Sequence, residues 1–305
     1  MEFMLGSDPE LMLRDKKTGR LVSAIPFIPE GKGEGRPLDK TGHNRALHDN
    51  VLVEYNTQPA RNEIEWVGTH TTVLRAIQRI LDPVGLELHL QASANYPAAE
   101  LKHPEARKFA CEPDWSAWTL DINEIPASAA KRSFRSAGGH LHVGKIKGSE
   151  ALNAILDDDY GKIDTVKMLD IYAGVPSVFL DKDTTAPARR ALYGGAGAHR
   201  PKPEYGVEYR ALGNWWLRSP VYTSVIYQLT DAALNALVAE KLPRLLKAIG
   251  EDRIQHIINK SDVKEARRVY AEHILPTLKP TLKLQIARLD TDPSVSFQEA
   301  WKLTA

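Results

Sequence analysis

The sequence predicts an α+β protein built on one antiparallel sheet. Some short segments alternate apolar and polar residues, as in Leu86-Glu87-Leu88-His89-Leu90 and Gly139-His140-Leu141-His142-Val143, the period of a half-buried strand. Longer segments repeat apolar residues every three or four positions, the period of a helix with one buried face. The strands carry polar residues on one face and are separated by helices and long loops, a pattern that suits an antiparallel sheet covered on one side.

Taken in chain order, Phe3 to Leu13 reads as a strand interrupted at the turn-prone Gly6-Ser7-Asp8-Pro9. Residues 29–43 hold Gly31, Gly33, Gly35 and Gly42 with Lys32, Arg36 and Pro37, the composition of a surface loop. Val51 to Asn56 favours a strand. Asn62 to Val84 predicts an amphipathic helix whose apolar stripe is Ile64, Val67, Thr71, Leu74, Ile77 and Leu81. Asp164 to Gly174 predicts a second helix. Residues 181–206, rich in Gly, Arg and Pro, read as a long loop leading into a strand from Val207 to Leu212. From Pro220 the pattern is helical, which divides the chain into a core of residues 1–219 and a helical region, 220–305, packed on it.

At 305 residues, with 43% hydrophobic and 26% charged side chains, the chain can bury a sizeable core. A formal net charge of +1 gives no global field towards nucleic acid or an anionic membrane. No apolar run approaches the roughly 20 residues of a membrane-spanning helix. Glu2 stands where a secretory leader would carry basic residues, so a cytoplasmic location is expected. The single cysteine, Cys111, excludes an intrachain disulfide framework and reads as a packed thiol.

The chemistry lies in acids, imidazoles and guanidinium groups placed two apart, hence on one face of a strand. Asp8 and Glu10 form one such pair, His140 and His142 a second, Glu208 and Arg210 a third, and Glu54 sits within an otherwise apolar strand. Each has an ordinary reading: a solvent-facing glutamate, a polar outer face, a structural ion pair. Together they describe a place for a hard cation, since carboxylate oxygens suit Mg2+ and added histidine nitrogens admit Mn2+. Arg189, Arg190 and Arg200 in the loop before Glu208, and Arg135 before the histidine strand, supply forks that match phosphate oxygens. Lys32 adds a weaker signal, because its loop has no Gly-x-x-x-x-Gly-Lys-Ser/Thr pattern.

Five segments in order resemble a known group: GSDPE at 6–10, HDNVLVEYNTQPA at 48–60, ACEPDWSAW at 110–118, FRSAGGHLHVG at 134–144 and RRALYGGAGAHRPKPEYGVEYRALGNWW at 189–216. They are similar to the carboxylate–amine ligases of the glutamine synthetase and glutamate–cysteine ligase superfamily. More closely, they resemble the amidoligase type 2 (COOH–NH2 ligase) proteins of phages and prophages, which implies the host cytoplasm if the chain is phage-encoded. The last ~85 residues carry no matching segment. The resemblance implies a glutamine synthetase-like antiparallel sheet curled into a cup, with ATP and Mg2+ or Mn2+ on its concave face. By that resemblance Asp8, Glu10, Glu54, Glu208 and His140 or His142 hold metal. Asp8 departs from the commoner glutamate by one methylene. Arg210 meets the transferring phosphoryl group, joined by Arg190, while Lys32, Arg135, Arg189 and Arg200 contact the nucleotide.

The implied reaction joins a carboxylate to an amine through an acyl phosphate, with Asp49 as the base that deprotonates the amine. Small-molecule or peptide substrates are expected, with modified nucleic acid a further option. A guanido-kinase-like phosphotransferase and a non-catalytic nucleotide-binding protein of the same fold are the alternatives. Trp115, Trp118, Trp215 and Trp216 read either as core or as the wall of an acceptor pocket.

Overall fold

Pro9 breaks the first extended segment, because proline cannot donate to a strand ladder and holds its predecessor extended. The computed structural model describes residues 2–29, 35–107, 114–123, 133–291 and 296–303; Lys32, with Gly31 and Gly33 of its loop, and Cys111 lie outside them. The first half contributes strands β1 (Met4–Ser7), β2 (Glu10–Asp15), β3 (Leu21–Val22), β4 (Arg36–Pro37), β5 (Arg45–Asp49) and β6 (Leu52–Asn56). Helix α1 (Glu63–Leu81) and strands β7 (Leu86–His89), β8 (Ser93–Asn95), β9 (Asp114–Ser116) and β10 (Ile122–Asn123) follow. Next come β11 (Phe134–Ser136), β12 (Leu141–Gly144), helices α2 (Glu150–Asp157), α3 (Asp159–Leu169), α4 (Val175–Leu180) and α5 (Ala186–Arg190), then β13 (Ala198–Lys202) and β14 (Gly206–Tyr209). The remainder is helical: α6 (Pro220–Val238), α7 (Leu242–Ile249), α8 (Glu251–Lys260), α9 (Val263–Val269), α10 (Pro280–Thr291) and α11 (Phe297–Trp301).

Among the described residues the α+β expectation holds, and every strand pairing is antiparallel. One six-stranded sheet runs β1-β12-β14-β13-β9-β10, β8 and β11 form a separate two-stranded sheet, and a second six-stranded sheet runs β3-β2-β6-β5-β4, with β7 also on β2. β1 passes into β2 across Asp8-Pro9, and the backbone after β6 follows it, Thr57 N–H donating to Ser7 O and Ala60 pairing with Leu5. The two six-stranded sheets therefore share a corner and form a curled antiparallel half-barrel. The supposed loop of residues 181–206 contains α5 and β13, because His199 to Lys202 pairs with β14 and Ala198 and His199 pair with β9, so Pro201 sits where the second pairing has ended.

One face of this sheet is apolar. Leu5, Leu11, Val53, Tyr55, Leu141, Val143, Val207 and Tyr209 are all fully buried in a core that extends from Phe3 to Leu303. Burying each such side chain stabilises the fold by about 1.5–3 kcal/mol. Residues 220–303 share this core with the strands. Helix α1 is started by Asn62, whose side chain accepts from Glu65 N–H, while Glu65 accepts from Arg61 N–H. Its buried stripe is Trp66, His70, Val73, Leu74, Ile77 and Leu81, and Ile64 is 86% exposed. The stripe is rotated from the expected one because Trp66 sets it: its ring stacks on Trp216 at 5.4 Å and its Nε1–H donates to Thr223 O.

Asp170, at the end of α3, is buried and accepts three hydrogen bonds: from Tyr209 Oη (2.6 Å), Trp118 Nε1 (2.7 Å) and Gly197 N (2.6 Å). These donors belong to β14, to the turn after β9 and to the approach to β13, so one carboxylate pins three neighbouring strands. Burial pushes its carboxyl up to about 7, against the lowering effect of those donors. We expect Asp170→Ala to leave three buried donors unsatisfied and to lower the unfolding free energy by about 3 kcal/mol or more, measured by urea denaturation.

His70 is equally buried, hydrogen-bonded to Tyr55 Oη at 2.9 Å and edge-on to Trp66 and Trp216. Burial holds its pKa down at about 3, so the folded state keeps it neutral while the unfolded chain protonates near 6.5. Its contribution to stability is present above about 6.5 and declines as pH falls towards 3. The unfolding free energy measured between pH 7 and 4 should fall less steeply in His70→Gln than in the wild type.

Candidate active site

The opposite face of the half-barrel carries charge. Register places His142 beside Glu208, Glu208 beside Arg200, and, on the second sheet, Glu10 beside Glu54. Among the described residues two sets of possible cation ligands result, Asp8–His142–Glu208 and Glu10–Asp49–Glu54, the ligand atoms of each lying within 4.8 Å of one another. Asp8 and Glu10 therefore do not act as one pair on one strand face: the break at Pro9 sends Asp8 to the first set and Glu10 to the second. Asp49, expected as the base, lies among the second set's carboxylates.

The two sets differ in their electrostatics. In the second, burial pushes Glu10 up to about 8 and Glu54 well above the usual carboxylate range, and the neighbouring acids add to both shifts. Asp49 is raised as well, chiefly by burial, against Arg210 and His48. Three half-buried acids with so little compensating charge take up protons more readily than free carboxylates unless a cation shares them. In the first set, burial and Asp8 would raise Glu208, yet Arg210, His140 and His142 outweigh them and hold it at about 2. Arg210 Nη1 bonds Glu208 Oε1, Lys202 Nζ lies 3.0 Å from Oε2 and Arg200 Nη1 3.5 Å from Oε1. Asp8 is likewise held well below its ordinary value, its burial outweighed by His142 and His140, each 3.2 Å from Oδ1.

Local structure fixes these groups. The His140 ring lies where a Cβ on Gly138 would stand, 2.3 Å from Nε2, and a Cβ on Gly139 would come within 2.4 Å of Gly213 O. Only glycine allows this approach, which brings Gly138 N–H to Glu10 Oε2 at 2.6 Å. The β5–β6 turn that presents Asp49 has Asn50 at φ 55°; the Asn50 side chain accepts from Val51 N–H and Arg135 Nε and donates to Glu105 O.

Several expected nucleotide contacts are placed elsewhere. Arg135 spends its donors on Asn50, Phe134 O and Ala106 O. Arg190 is not brought to the cluster: it is buried against Asp181, Ser177 O and Ser261 Oγ. Arg189 donates to Ala211 O and Arg210 O and so supports the backbone that carries Arg210. His140 belongs to neither ligand set; burial and Arg210 hold its pKa at about 4, against the pull of Asp8. Trp215 and Trp216 are core, Trp118 is tied to Asp170, and Trp115 pairs with His199 on the face away from the acids.

Three contributors escaped sequence reasoning. Lys202 lies two residues from Arg200 on the same face of β13, a relation hidden while that stretch read as loop. Asp114, inside the ACEPDW segment, receives Arg210 Nε at 3.1 Å. Tyr205 Oη lies 2.5 Å from His142 Nδ1, and nothing in its sequence context marks it.

Carboxylates in pairs and triples stand beside guanidinium and ammonium groups on the same surface, donor types whose chemistry suits cations and anionic oxygens respectively. Residues 124–251 match the model of the family described as phage phiEco32-like COOH.NH2 ligase-type 2. That stretch holds His140, His142, Arg200, Lys202, Glu208 and Arg210, and the match bears out the amidoligase resemblance. Asp8, Glu10, Asp49 and Glu54 lie outside it. No curated protein matches the chain. No helix among the described residues is long and apolar enough to cross a membrane.

The donor chemistry of both sets fits divalent cations, oxygen-only in one and mixed nitrogen and oxygen in the other. Glu54→Gln should leave the melting temperature in EDTA within a few degrees of the wild type at pH 8, because an acid that takes up a proton when no cation is bound is replaced by a neutral isostere. The same variant should lose most of the upward shift that Mg2+ gives the wild type. Differential scanning fluorimetry with and without Mg2+ checks both outcomes.

Proposed function

We propose that the chain is an ATP-dependent carboxylate–amine ligase working through an acyl phosphate, on a glutamine synthetase-like curled sheet. The observation that carries this reading is Arg210, placed between Glu208 and Asp114 on the face where both acid sets converge, within a segment that matches a COOH–NH2 ligase family. A guanidinium beside metal-binding carboxylates suits a reaction in which negative charge moves between phosphate oxygens.

In the first step a substrate carboxylate oxygen attacks the γ-phosphorus of ATP, the bond to the bridging oxygen breaks, and ADP leaves. Arg210, with Arg200 and Lys202 nearby, stabilises the transferring phosphoryl group. Asp8, His142 and Glu208, and separately Glu10, Asp49 and Glu54, would hold Mg2+, or Mn2+, which when bound neutralises phosphate charge. In the second step an amine attacks the acyl carbon and phosphate leaves with the former carboxylate oxygen. Asp49 serves as the base that takes the proton of the amine before the attack. The substrates are a small-molecule or peptide carboxylate and an amine. A net charge of +1 gives nucleic acid no long-range attraction.

The test is an ADP-release screen with Mg2+ across pooled carboxylates and amines, followed by mass analysis of products; phosphate should appear in full yield only with both substrates present. Glu10→Gln and Glu208→Gln should each abolish ADP formation in protein that remains folded by circular dichroism. Arg210→Ala should lower kcat by about 100-fold or more, as loss of a transition-state donor does, with a much smaller change in ATP affinity by calorimetry. An effect on affinity alone would remove Arg210 from the transition state.

A further inference from the structure

We propose that Tyr205 is the positioning residue that makes His142 a nitrogen ligand, and that it thereby gives the Asp8–His142–Glu208 set a preference for Mn2+ that the all-carboxylate set lacks. The inference rests on the cation-binding part of the function proposed above. It concerns a residue outside both ligand sets.

Tyr205 lies in the tight turn between β13 and β14 and is fastened by its backbone. Its N–H donates to Lys202 O at 3.1 Å, and its carbonyl accepts from Lys145 N–H at 2.9 Å, just beyond β12. The phenol is thus carried by the same three strands that carry His142, Glu208 and Arg200. Its ring lies over the imidazole at 5.9 Å, tilted by 35°, with Oη 2.5 Å from Nδ1. That contact occupies one ring nitrogen and fixes the ring about its bond to the backbone.

The other nitrogen then has one direction to face. His142 Nε2 is buried, lacks an aligned hydrogen bond, and lies in ion-pair reach of Asp8 Oδ1, 3.2 Å away, with Glu208 in the same ligand set. A buried nitrogen held among two carboxylates, paired to one of them only while it keeps its proton, is a place where a cation shared by all three replaces that proton. For that, the ring proton resides on Nδ1 and is donated to the phenol oxygen of Tyr205, the outer partner that a ligating histidine needs. An imidazole nitrogen among carboxylates favours Mn2+ over Mg2+, whereas Glu10, Asp49 and Glu54 offer only oxygens. The two halves of the site therefore differ in selectivity, and Tyr205 sets the difference.

The test uses the full chain and Mn2+ alone, followed by electron paramagnetic resonance at fixed pH, with Mg2+ as competitor. The wild type should show one class of Mn2+ that Mg2+ displaces poorly, with the pulsed-resonance coupling of a directly bound imidazole nitrogen. Tyr205→Phe keeps the ring and removes the oxygen; it should weaken that class by about 10–100-fold and reduce the nitrogen coupling, with the melting temperature in EDTA unchanged. His142→Asn, which leaves Tyr205 in place, should lose the nitrogen coupling altogether. Unchanged Mn2+ affinity and coupling in Tyr205→Phe would overturn the positioning role. Nitrogen coupling that persists in His142→Asn would assign the ligand to another histidine and overturn it too. A wild type that binds Mn2+ without nitrogen coupling overturns this inference and leaves the ligase reading standing; one that binds no divalent cation overturns both.

Discussion

Asp170 is the interaction on which the charged face depends. Strands that carry Glu208, Arg200 and Asp114 on one side carry Tyr209, the approach through Gly197 and the turn to Trp118 on the other, and the second group converges on a single carboxylate. A buried acid is costly to desolvate, and three short donor bonds offset that cost only while all three strands stay in place. The pin thus converts a packing requirement beneath the sheet into positional control above it. His70 does the same between α1, β1 and β6, through Tyr55 and Ser7.

Above the sheet the fold accepts repulsion that it could have avoided. Glu10, Asp49 and Glu54 are drawn together by strand register and by a turn that needs Asn50 in the left-handed region. Nothing apolar is gained by that arrangement, and the acids raise one another's affinity for protons. Such local conflict inside an otherwise consistent structure is characteristic of a functional site, where stability is given up for chemistry. On the neighbouring strands the balance reverses: Arg210, His140 and His142 keep Glu208 ionised, and Lys202 and Arg200 lie in ion-pair reach of it.

The period-two alternation at 139–143 and at 86–90, and the three-to-four spacing after Asn62, were enough to read strand and helix. They were not enough to place a face. Ile64 looks like a stripe residue, but the bulk of Trp66 and its contact with Trp216 rotate the helix, and such a contact is invisible until both partners are folded. The paired acids at 8 and 10 were legible as ligands, whereas their separation into two sets follows from the break at Pro9. Arg135, Arg189 and Arg190 have the composition of a phosphate cradle and are instead buried struts, because a guanidinium serves a backbone carbonyl as readily as a phosphate. Lys202 and Tyr205 were missed since their roles come from strand pairing across β12, β13 and β14.

The corner at Asp8-Pro9 also bears on when the site comes into being. Residues 10–54 hold the whole Glu10–Asp49–Glu54 set, whereas the other joins Asp8 to His142 and Glu208 across sequence separations that make such contacts late to form. A chain emerging from the ribosome exposes Glu10, Asp49 and Glu54 long before the segment bearing Glu208 and Arg210 exists. The two sets are complete together only once the half-barrel closes, so under the proposed reaction a partly synthesised or partly unfolded molecule would have no assembled centre with which to consume nucleotide.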